Sequence, residues 1–151
     1  MANVVPVRKN LHQNIKIATK RGLEHIANQH IAPISAREYP KAGNNFPIFL
    51  VKQPEGTRYR SVVMLGLESG ENLFYKNEAW EGTYIPQGIA MMPFGLGVDP
   101  DKENTLTTYI DLDSQYVGED KENALFDAEG NDTEFYTNVQ NSLGRLFDNE
   151  N

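Results

Sequence analysis

The side chains that could do chemistry in this sequence are few, and their spacing does not suit a metal site. His25 and His30 are five residues apart, which places them on opposite faces of a strand and matches them poorly on a helix. The acidic segment that begins at Asp99 starts like a calcium loop, but Asn104 and Ile110 stand where such a loop needs glycine and glutamate. The sequence therefore predicts no metal site.

Nucleophilic and nucleotide chemistry has no better support. The sequence has no cysteine, no G-x-S-x-G elbow, no phosphate-binding loop and no dinucleotide signature. Asp111 and Asp113 share a face of a predicted strand, but paired carboxylates are also common on exposed strands. We therefore predict no catalytic residues and no cofactor. An enzyme whose site combines His30 with Glu38 or Asp111 is the least favoured alternative.

Binding is better supported than catalysis, because aromatic residues are concentrated between positions 59 and 94. Trp80 lies among polar residues with Tyr84 four positions later, and such aromatic side chains can anchor a ligand or a peptide. The alternative is that these residues pack in the core or at its rim. The predicted partner-binding residues are His30, Glu38, Tyr59, Trp80 and Tyr84, and the expected partner is a protein or a peptide.

The charge of the chain is unevenly distributed. Residues 1–60 contain ten Lys/Arg and three Asp/Glu, whereas residues 61–151 contain four Lys/Arg and eighteen Asp/Glu. The net charge of the whole chain is −7. The acidic total argues against nucleic acid as a partner. A solvated acidic surface that aids solubility is the favoured interpretation, and an acidic face toward a partner is the alternative. Nothing in this pattern indicates an oligomeric state.

Membrane and export signals are not evident. No window approaches the roughly 20 apolar residues of a membrane helix, so we predict no membrane insertion. The first residues lack the apolar run of about 7–15 residues that a secretion signal needs. We expect a cytoplasmic protein. The alternative is the cell surface, reached by a route that reads no N-terminal signal peptide.

The elements that must position these residues are mostly strands. Phe46–Val51 and Val62–Leu67 are continuous apolar runs that suit strands covered on both faces. The Pro- and Gly-containing segment Gln53–Arg58 between them predicts a hairpin. Apolar and polar residues alternate from Leu106 to Asp113, which predicts a strand with one buried face.

Near the C-terminus the apolar period changes from two to four. The stripe consists of Phe135, Val139, Leu143 and Phe147. It predicts an amphipathic helix, with Asp132 or Thr133 as its N-cap. The predicted fold is therefore α+β, with a mainly antiparallel β-sheet or a partly open barrel, short helices and a C-terminal amphipathic helix. A single domain over residues 1–151 is expected.

The proline-rich segment before the first apolar run is favoured as a folding device over a binding loop. Ser35 and Glu38 have the spacing of a capping box. Pro40 cannot lie deep in that helix, so the helix is a single turn or Pro40 opens a second short one. Pro47 begins the strand, where a missing N–H donor matters least.

Several of these segments, in this order, resemble the SapC-like family of bacterial proteins. They are HIAPIS, REYPKAGNNFPIFLVK, VVMLGLESGENLFY, WEGTYIPQGIAMMPFGL, YIDLDSQYV and ALFDAEGNDTEF. The resemblance covers nearly the whole chain and implies a surface-layer or peptide-transport context, with no catalytic residues to carry over. Family members usually continue with more helical sequence, so the resemblance also implies a single SapC-like domain truncated at its C-terminus.

These observations together predict a non-enzymatic binding or accessory protein of the SapC-like family. The alternative is a structural protein of the surface layer or of an export system.

Overall fold

The computed structural model describes residues 3–54 and 56–147. The strands, in chain order, are β1 (Val4–Pro6), β2 (Lys16–Ile17), β3 (Ile31–Pro33), β4 (Ile48–Lys52), β5 (Tyr59–Met64), β6 (Tyr75–Lys76), β7 (Ala79–Trp80), β8 (Phe94–Val98), β9 (Leu106–Asp111), β10 (Val117–Gly118) and β11 (Asn123–Ala124). The α-helices are α1 (Lys9–His12), α2 (Tyr39–Ala42), α3 (Gln87–Ala90) and α4 (Glu134–Phe147), and 3-10 turns span Glu24–Ile26 and Ala36–Glu38.

These elements form two compact units. Unit 1 combines the described residues up to Arg21 with those from Met91 onward, and unit 2 spans Gly22–Ala90. The strands pair in small open antiparallel sheets. The predicted α+β class, with antiparallel strands, short helices and a C-terminal helix, is confirmed.

Unit 1 contains two three-stranded sheets and the C-terminal helix. The strand orders are β1-β9-β8 and β10-β2-β11. The predicted alternation holds in β9, because Thr108 and Ile110 are buried while Tyr109 between them is only partly covered. The core of the unit consists of Val7, Ile17, Phe94, Ile110, Leu125, Phe126, Tyr136, Val139 and Leu143.

Helix α4 supplies one wall of this core. Val139 and Leu143 are buried, and Phe135 packs at the rim with its ring 6.3 Å from that of Phe94. The side chain of Phe147 lies outside the described residues. Thr133, one of the two predicted caps, accepts a hydrogen bond from the Tyr136 N–H at 3.2 Å, which satisfies a donor of the first turn.

Unit 2 is built around the sheet β3-β5-β4, with β6 and β7 as a separate hairpin. The predicted hairpin over residues 46–67 is confirmed, because β4 pairs antiparallel with β5 from Ile48↔Val63 to Lys52↔Tyr59. The core of the unit consists of Ile26, Ala32, Ile34, Ala42, Phe46, Val63, Leu65 and Ile89.

The prediction that the first apolar run is covered on both faces is wrong. Phe49, Leu50 and Val51 in β4 are 46%, 64% and 44% exposed. The physical reason is position: β4 lies at the edge of the sheet, and the core of the unit contacts the strand only near Ile48. The second run is buried at Val62 and Val63, in the central strand.

The proline-rich segment folds as a local device. Ser35 and Glu38 form the predicted capping box, with the Ser35 N–H donating to Glu38 Oε2 at 2.8 Å. The second short helix is present as α2, but it begins at Tyr39, so Pro40 is its second residue and lies in the first turn, where a missing N–H is tolerated. Pro47 directly precedes β4, and its carbonyl accepts the Met64 N–H at 3.0 Å.

Candidate partner-binding site

Glu38, one of the predicted partner-binding residues, is a buried hub of hydrogen bonds. Its side chain is 4% exposed. Oε2 accepts the Ser35 N–H, and Oε1 accepts both the Tyr84 hydroxyl and the Gln87 N–H at 2.8 Å. These donors compensate for the cost of burying a carboxylate. The hub fastens the capping box to the start of α3.

Trp80 and Tyr84 belong to the same assembly. Trp80 is partly buried against the aromatic rings of Phe46 and Phe74, at centroid distances of 5.9 and 5.8 Å. Its indole N–H donates to the Tyr84 carbonyl at 2.9 Å. Burial, together with the hydrogen bond to Glu38, raises the pKa of Tyr84 well above its usual range, which keeps the hydroxyl protonated as a donor.

His30 and Tyr59 lie apart from this assembly. The His30 carbonyl accepts the Leu65 and Gly66 N–H groups at 2.6 and 3.1 Å, and its side chain is half-buried. Tyr59 begins β5 at the hairpin end of the sheet and is 62% exposed. The structure therefore brings together Glu38, Trp80 and Tyr84. The partner-binding role of the five predicted residues stays a prediction.

The surface that the sequence did not reveal is the open edge of β4. In the described part of the chain, β4 pairs with β5 on one side and has no strand on the other. Two hydrogen bonds show which backbone groups of this segment point toward β5. The Met64 N–H donates to the Pro47 carbonyl at one end, and the Gln53 N–H donates to the Arg58 carbonyl at the other. Because backbone groups alternate along an antiparallel strand, Ile48, Leu50 and Lys52 direct their N–H and C=O groups outward.

One face of the same sheet carries a shallow apolar groove of about 240 Å³. Its lining residues are Ile31, Pro33, Val51, Lys52, Gln53, Pro54, Arg60 and Val62. The register places Phe49 opposite Val62 and Val51 opposite Arg60, so Phe49 and Val51 share the face of the groove. Contiguous exposed apolar surface is typical of interaction sites, whereas single exposed apolar side chains are common on any protein.

Basic side chains flank this apolar surface at the hairpin end. Lys52 and Arg60 line the groove, and Arg58 follows at the start of the paired region. All three are exposed, and none of them forms an ion pair with a described residue. Exposed positive charge next to an open strand edge favours a partner that carries negative charge.

In the acidic loop of unit 1, by contrast, a cation is paired with described carboxylates. The Arg8 guanidinium binds both carboxylate oxygens of Asp99 at 2.9 and 2.5 Å and reaches Asp101 at 2.9 Å. This ion pair lowers the pKa of Asp99 to about 2. The acidic side chains that resemble the start of a calcium loop are therefore bound to an arginine of the same unit. Among residues 3–54 and 56–147, no group of three or more His, Cys, Asp or Glu side chains is placed to hold a metal ion.

Comparison with known proteins gives a family. The family model for SapC matches residues 7–151. The chain belongs to the SapC family. The matched range includes the whole β3-β5-β4 sheet, so the candidate site of this SapC chain lies within the family region. A search of curated proteins and a search of solved structures each find no match. Within the described residues, no helix has the length and apolar character needed to cross a membrane.

Proposed function

We propose that this SapC-family chain is a non-enzymatic binding or accessory protein that holds a protein or peptide partner at the β3-β5-β4 sheet. The observation that carries the proposal is the open edge of β4, with Phe49, Leu50 and Val51 exposed beside the groove. Open, apolar strand edges are usually shielded in soluble proteins because they invite pairing with another chain. A partner would provide that shield.

Covering the exposed side chains of β4 would contribute to the binding of a partner. Fully burying a large apolar side chain is worth about 1.5–3 kcal/mol. The three side chains of β4 are roughly half-exposed, so covering them would contribute about 1 kcal/mol each. New backbone hydrogen bonds along the edge would add to this sum and would determine the orientation of the partner.

The five residues predicted from the sequence enter this proposal differently. Tyr59 is exposed in β5, the strand next to β4, and is proposed to contact the partner directly. His30 precedes β3 at the other edge of the sheet, and its contact with a partner stays a prediction from the sequence. Glu38, Trp80 and Tyr84 are proposed to act indirectly, because their contacts hold the unit in shape.

The alternative, a structural protein of the surface layer or of an export system, would use the same edge to join copies of the chain. It predicts ordered arrays at the cell surface, whereas the first proposal is compatible with the cytoplasmic location expected from the sequence. Cell fractionation with an antibody against the chain decides the compartment. Recovery from the cytosol alone would contradict the surface-layer alternative.

The test of the proposed function is photo-crosslinking inside the cell that makes the protein. A photoreactive amino acid replaces Leu50 in one variant and Leu67 in a matched control, because Leu67 is also apolar and is 79% exposed in the same unit. We expect a discrete adduct from position 50 and none of that mass from position 67. Equal labelling from both positions, or no adduct from position 50, would overturn the proposal.

A further inference from the structure

We infer that the partner is an extended, acidic-apolar peptide segment that adds as a fourth strand along β4. This inference rests on the proposed function and specifies the chemistry of the partner. It follows from three properties of the edge: the direction of its backbone groups, the side chains on its two faces and the exposed cations at one end.

The backbone of β4 is ready to accept a strand. The outward N–H and C=O groups of Ile48, Leu50 and Lys52 repeat every second residue, as strand pairing requires. The strand has five residues, which is close to the usual length of a strand in a protein sheet. An extended peptide could form main-chain hydrogen bonds along its full length.

The opposite edge of the sheet is not available in the same way. Hydrogen bonds from Leu65 to His30 and from Ile34 to Ser61 show that Ala32 points inward and Pro33 points outward in β3. Pro33 has no N–H to offer to a new strand. Helix α3 also packs against β3, and Gly88 lies next to the Pro33 carbonyl. Strand addition is therefore confined to β4.

The two faces of β4 require apolar residues in the partner. Phe49 and Val51 lie on the groove face, and Leu50 lies on the other face beside Tyr59 and Ser61 of β5. Side chains of adjacent strands on one face lie about 4.5–5.5 Å apart and interact directly. Apolar residues at successive partner positions would thus cover exposed surface on both faces.

The charge at the hairpin end sets the sign of the partner. Lys52, Arg58 and Arg60 are concentrated where β4 and β5 approach their connecting turn. A partner carboxylate opposite Lys52 would approach that cation on one face of the sheet, and a carboxylate at the next partner position would point to the face of Arg58 and Arg60. A second copy of this chain, paired antiparallel and centred on Leu50, would set Ile48 opposite Lys52, and its β4 contains no carboxylate to offer these cations. The charges therefore favour an acidic peptide over self-association.

The experiment measures binding of fluorescent ten-residue peptides to the full chain by anisotropy. The acidic probe carries valine at three successive central positions among threonines, so that both faces receive an apolar side chain, and two glutamates at one end, with N-terminal and C-terminal placements made separately. The control probe carries lysines in place of the glutamates. We expect the acidic probe, in one of the two placements, to bind at least about tenfold more tightly than its lysine counterpart. Equal affinities would overturn the inference.

A charge reversal in the protein provides the matched test. The double variant Lys52→Glu/Arg60→Glu should bind the lysine probe more tightly than the acidic probe, because it reverses two of the three charges at the hairpin end. Both residues are exposed, so we expect the fold to be retained. Glu55→Gln removes the carboxylate that the sequence places in this turn, and it should bind the acidic probe at least as tightly as the wild type. An unchanged preference in the double variant would contradict the inference.

Strand pairing is tested on the peptide, so that no protein variant has to fold. Acidic probes methylated on alternate backbone nitrogens are made as two complementary sets. In only one of the two sets do the methylated nitrogens face β4. That set should lose at least about tenfold in affinity, and the other set should retain its affinity. Equal binding or equal loss by both sets would exclude strand addition.

Failure of the inference can be told from failure of the proposed function. If the position-50 adduct forms in cells and the peptides do not discriminate charge, the binding function stands and the acidic strand is wrong. If the adduct is a second copy of the chain, the inference is overturned in favour of self-assembly. If no adduct forms, both proposals fall.

Discussion

The two edge strands of the β3-β5-β4 sheet differ in how far other parts of the unit shield them. At the β3 edge, Pro33 removes a donor and α3 packs against the strand. At the β4 edge, no described element covers the strand, and its apolar side chains are exposed. The same unit thus shields one edge and leaves the other open. The exposure of β4 is therefore a specific property of that edge, which is what a binding surface requires.

The shield over β3 depends on a buried polar hub. Glu38 holds the Gln87 N–H at the start of α3 and the Tyr84 hydroxyl just before it. By contrast, the described contacts that hold β4 are its pairing with β5 and the packing of Ile48 against the core. Substitutions in the hub should therefore cost stability, whereas substitutions on the open edge should cost binding.

The largest effect is expected from Glu38→Ala. This change leaves three donors, from Ser35, Tyr84 and Gln87, without their buried acceptor, so the free energy of unfolding should fall by about 3–4 kcal/mol. Urea denaturation followed by circular dichroism measures it. The control Glu81→Ala removes an exposed carboxylate and should change stability by less than about 0.5 kcal/mol. A loss below about 1 kcal/mol would show that the hub does not hold α3 in place.

Trp80→Ala should follow, with a loss of about 2–3 kcal/mol. The substitution removes a partly buried ring from its contacts with Phe46 and Phe74 and breaks the hydrogen bond to the Tyr84 carbonyl. The exposed-anchor hypothesis drawn from the sequence instead expects weaker partner capture without unfolding. Tyr59→Ala is the matched aromatic control, with a stability change below about 0.5 kcal/mol. Comparable stability of the two variants would favour the anchor hypothesis.

A third pair compares the centre of the sheet with its open edge. Val63 is fully buried in β5, and Val63→Ala should cost about 2 kcal/mol by leaving a cavity. Leu50→Ala, on the exposed edge, should change the free energy of unfolding by less than about 0.5 kcal/mol. Thermal and urea unfolding of both variants test this directly. A large loss from Leu50→Ala would mean that the edge serves stability and not binding.

The smallest expected change in the free energy of unfolding at neutral pH comes from substituting His25, which lies near the Ile89 backbone in α3. Burial lowers the pKa of His25 below its usual value of 6.5, against the opposing influences of Glu24 and Ile89. The folded state therefore favours the neutral imidazole. Stability that is present above pH 6.5 should decline as the pH falls from 6.5 toward the lowered pKa.

The measurement for His25 is the free energy of unfolding at several pH values between 8 and 5, for the wild type and His25→Gln. Burial also lowers the pKa of His12, so the wild-type slope contains both contributions. The difference between the two slopes isolates His25, and the variant should have the flatter pH dependence. Identical slopes would show that His25 does not titrate differently in the folded and unfolded chains.

Much of the architecture could be predicted because its causes are local. The 46–67 hairpin follows from two apolar runs and a Pro-Gly turn, and the C-terminal helix follows from an apolar stripe and the cap at Thr133. The capping box of Ser35 and Glu38 requires residues only three positions apart. Each of these signals depends on backbone conformations and side chains that are close in the chain.

The candidate site could not be predicted, because it depends on which strand lies at the edge. The runs around Phe49 and Val62 look alike in the sequence, yet one belongs to the open strand and the other to the centre. Strand order is fixed by the pairing of β3 with β5 across a long stretch of chain. A continuous apolar run shows that both faces of the strand are apolar, but it does not show whether other elements of the fold bury those faces.

The fold class, the hairpin, the caps and the order of motifs that the SapC family shares can be inferred from the sequence, since they follow from residues near one another. Packing is needed to learn that Glu38 joins Tyr84 and Gln87, that Trp80 contacts Phe46 and Phe74, and that no described strand pairs with the outer edge of β4 beside its exposed cations. The physical reason is that burial and edge exposure are properties of the packed elements. They arise when distant segments compete to cover the same surface.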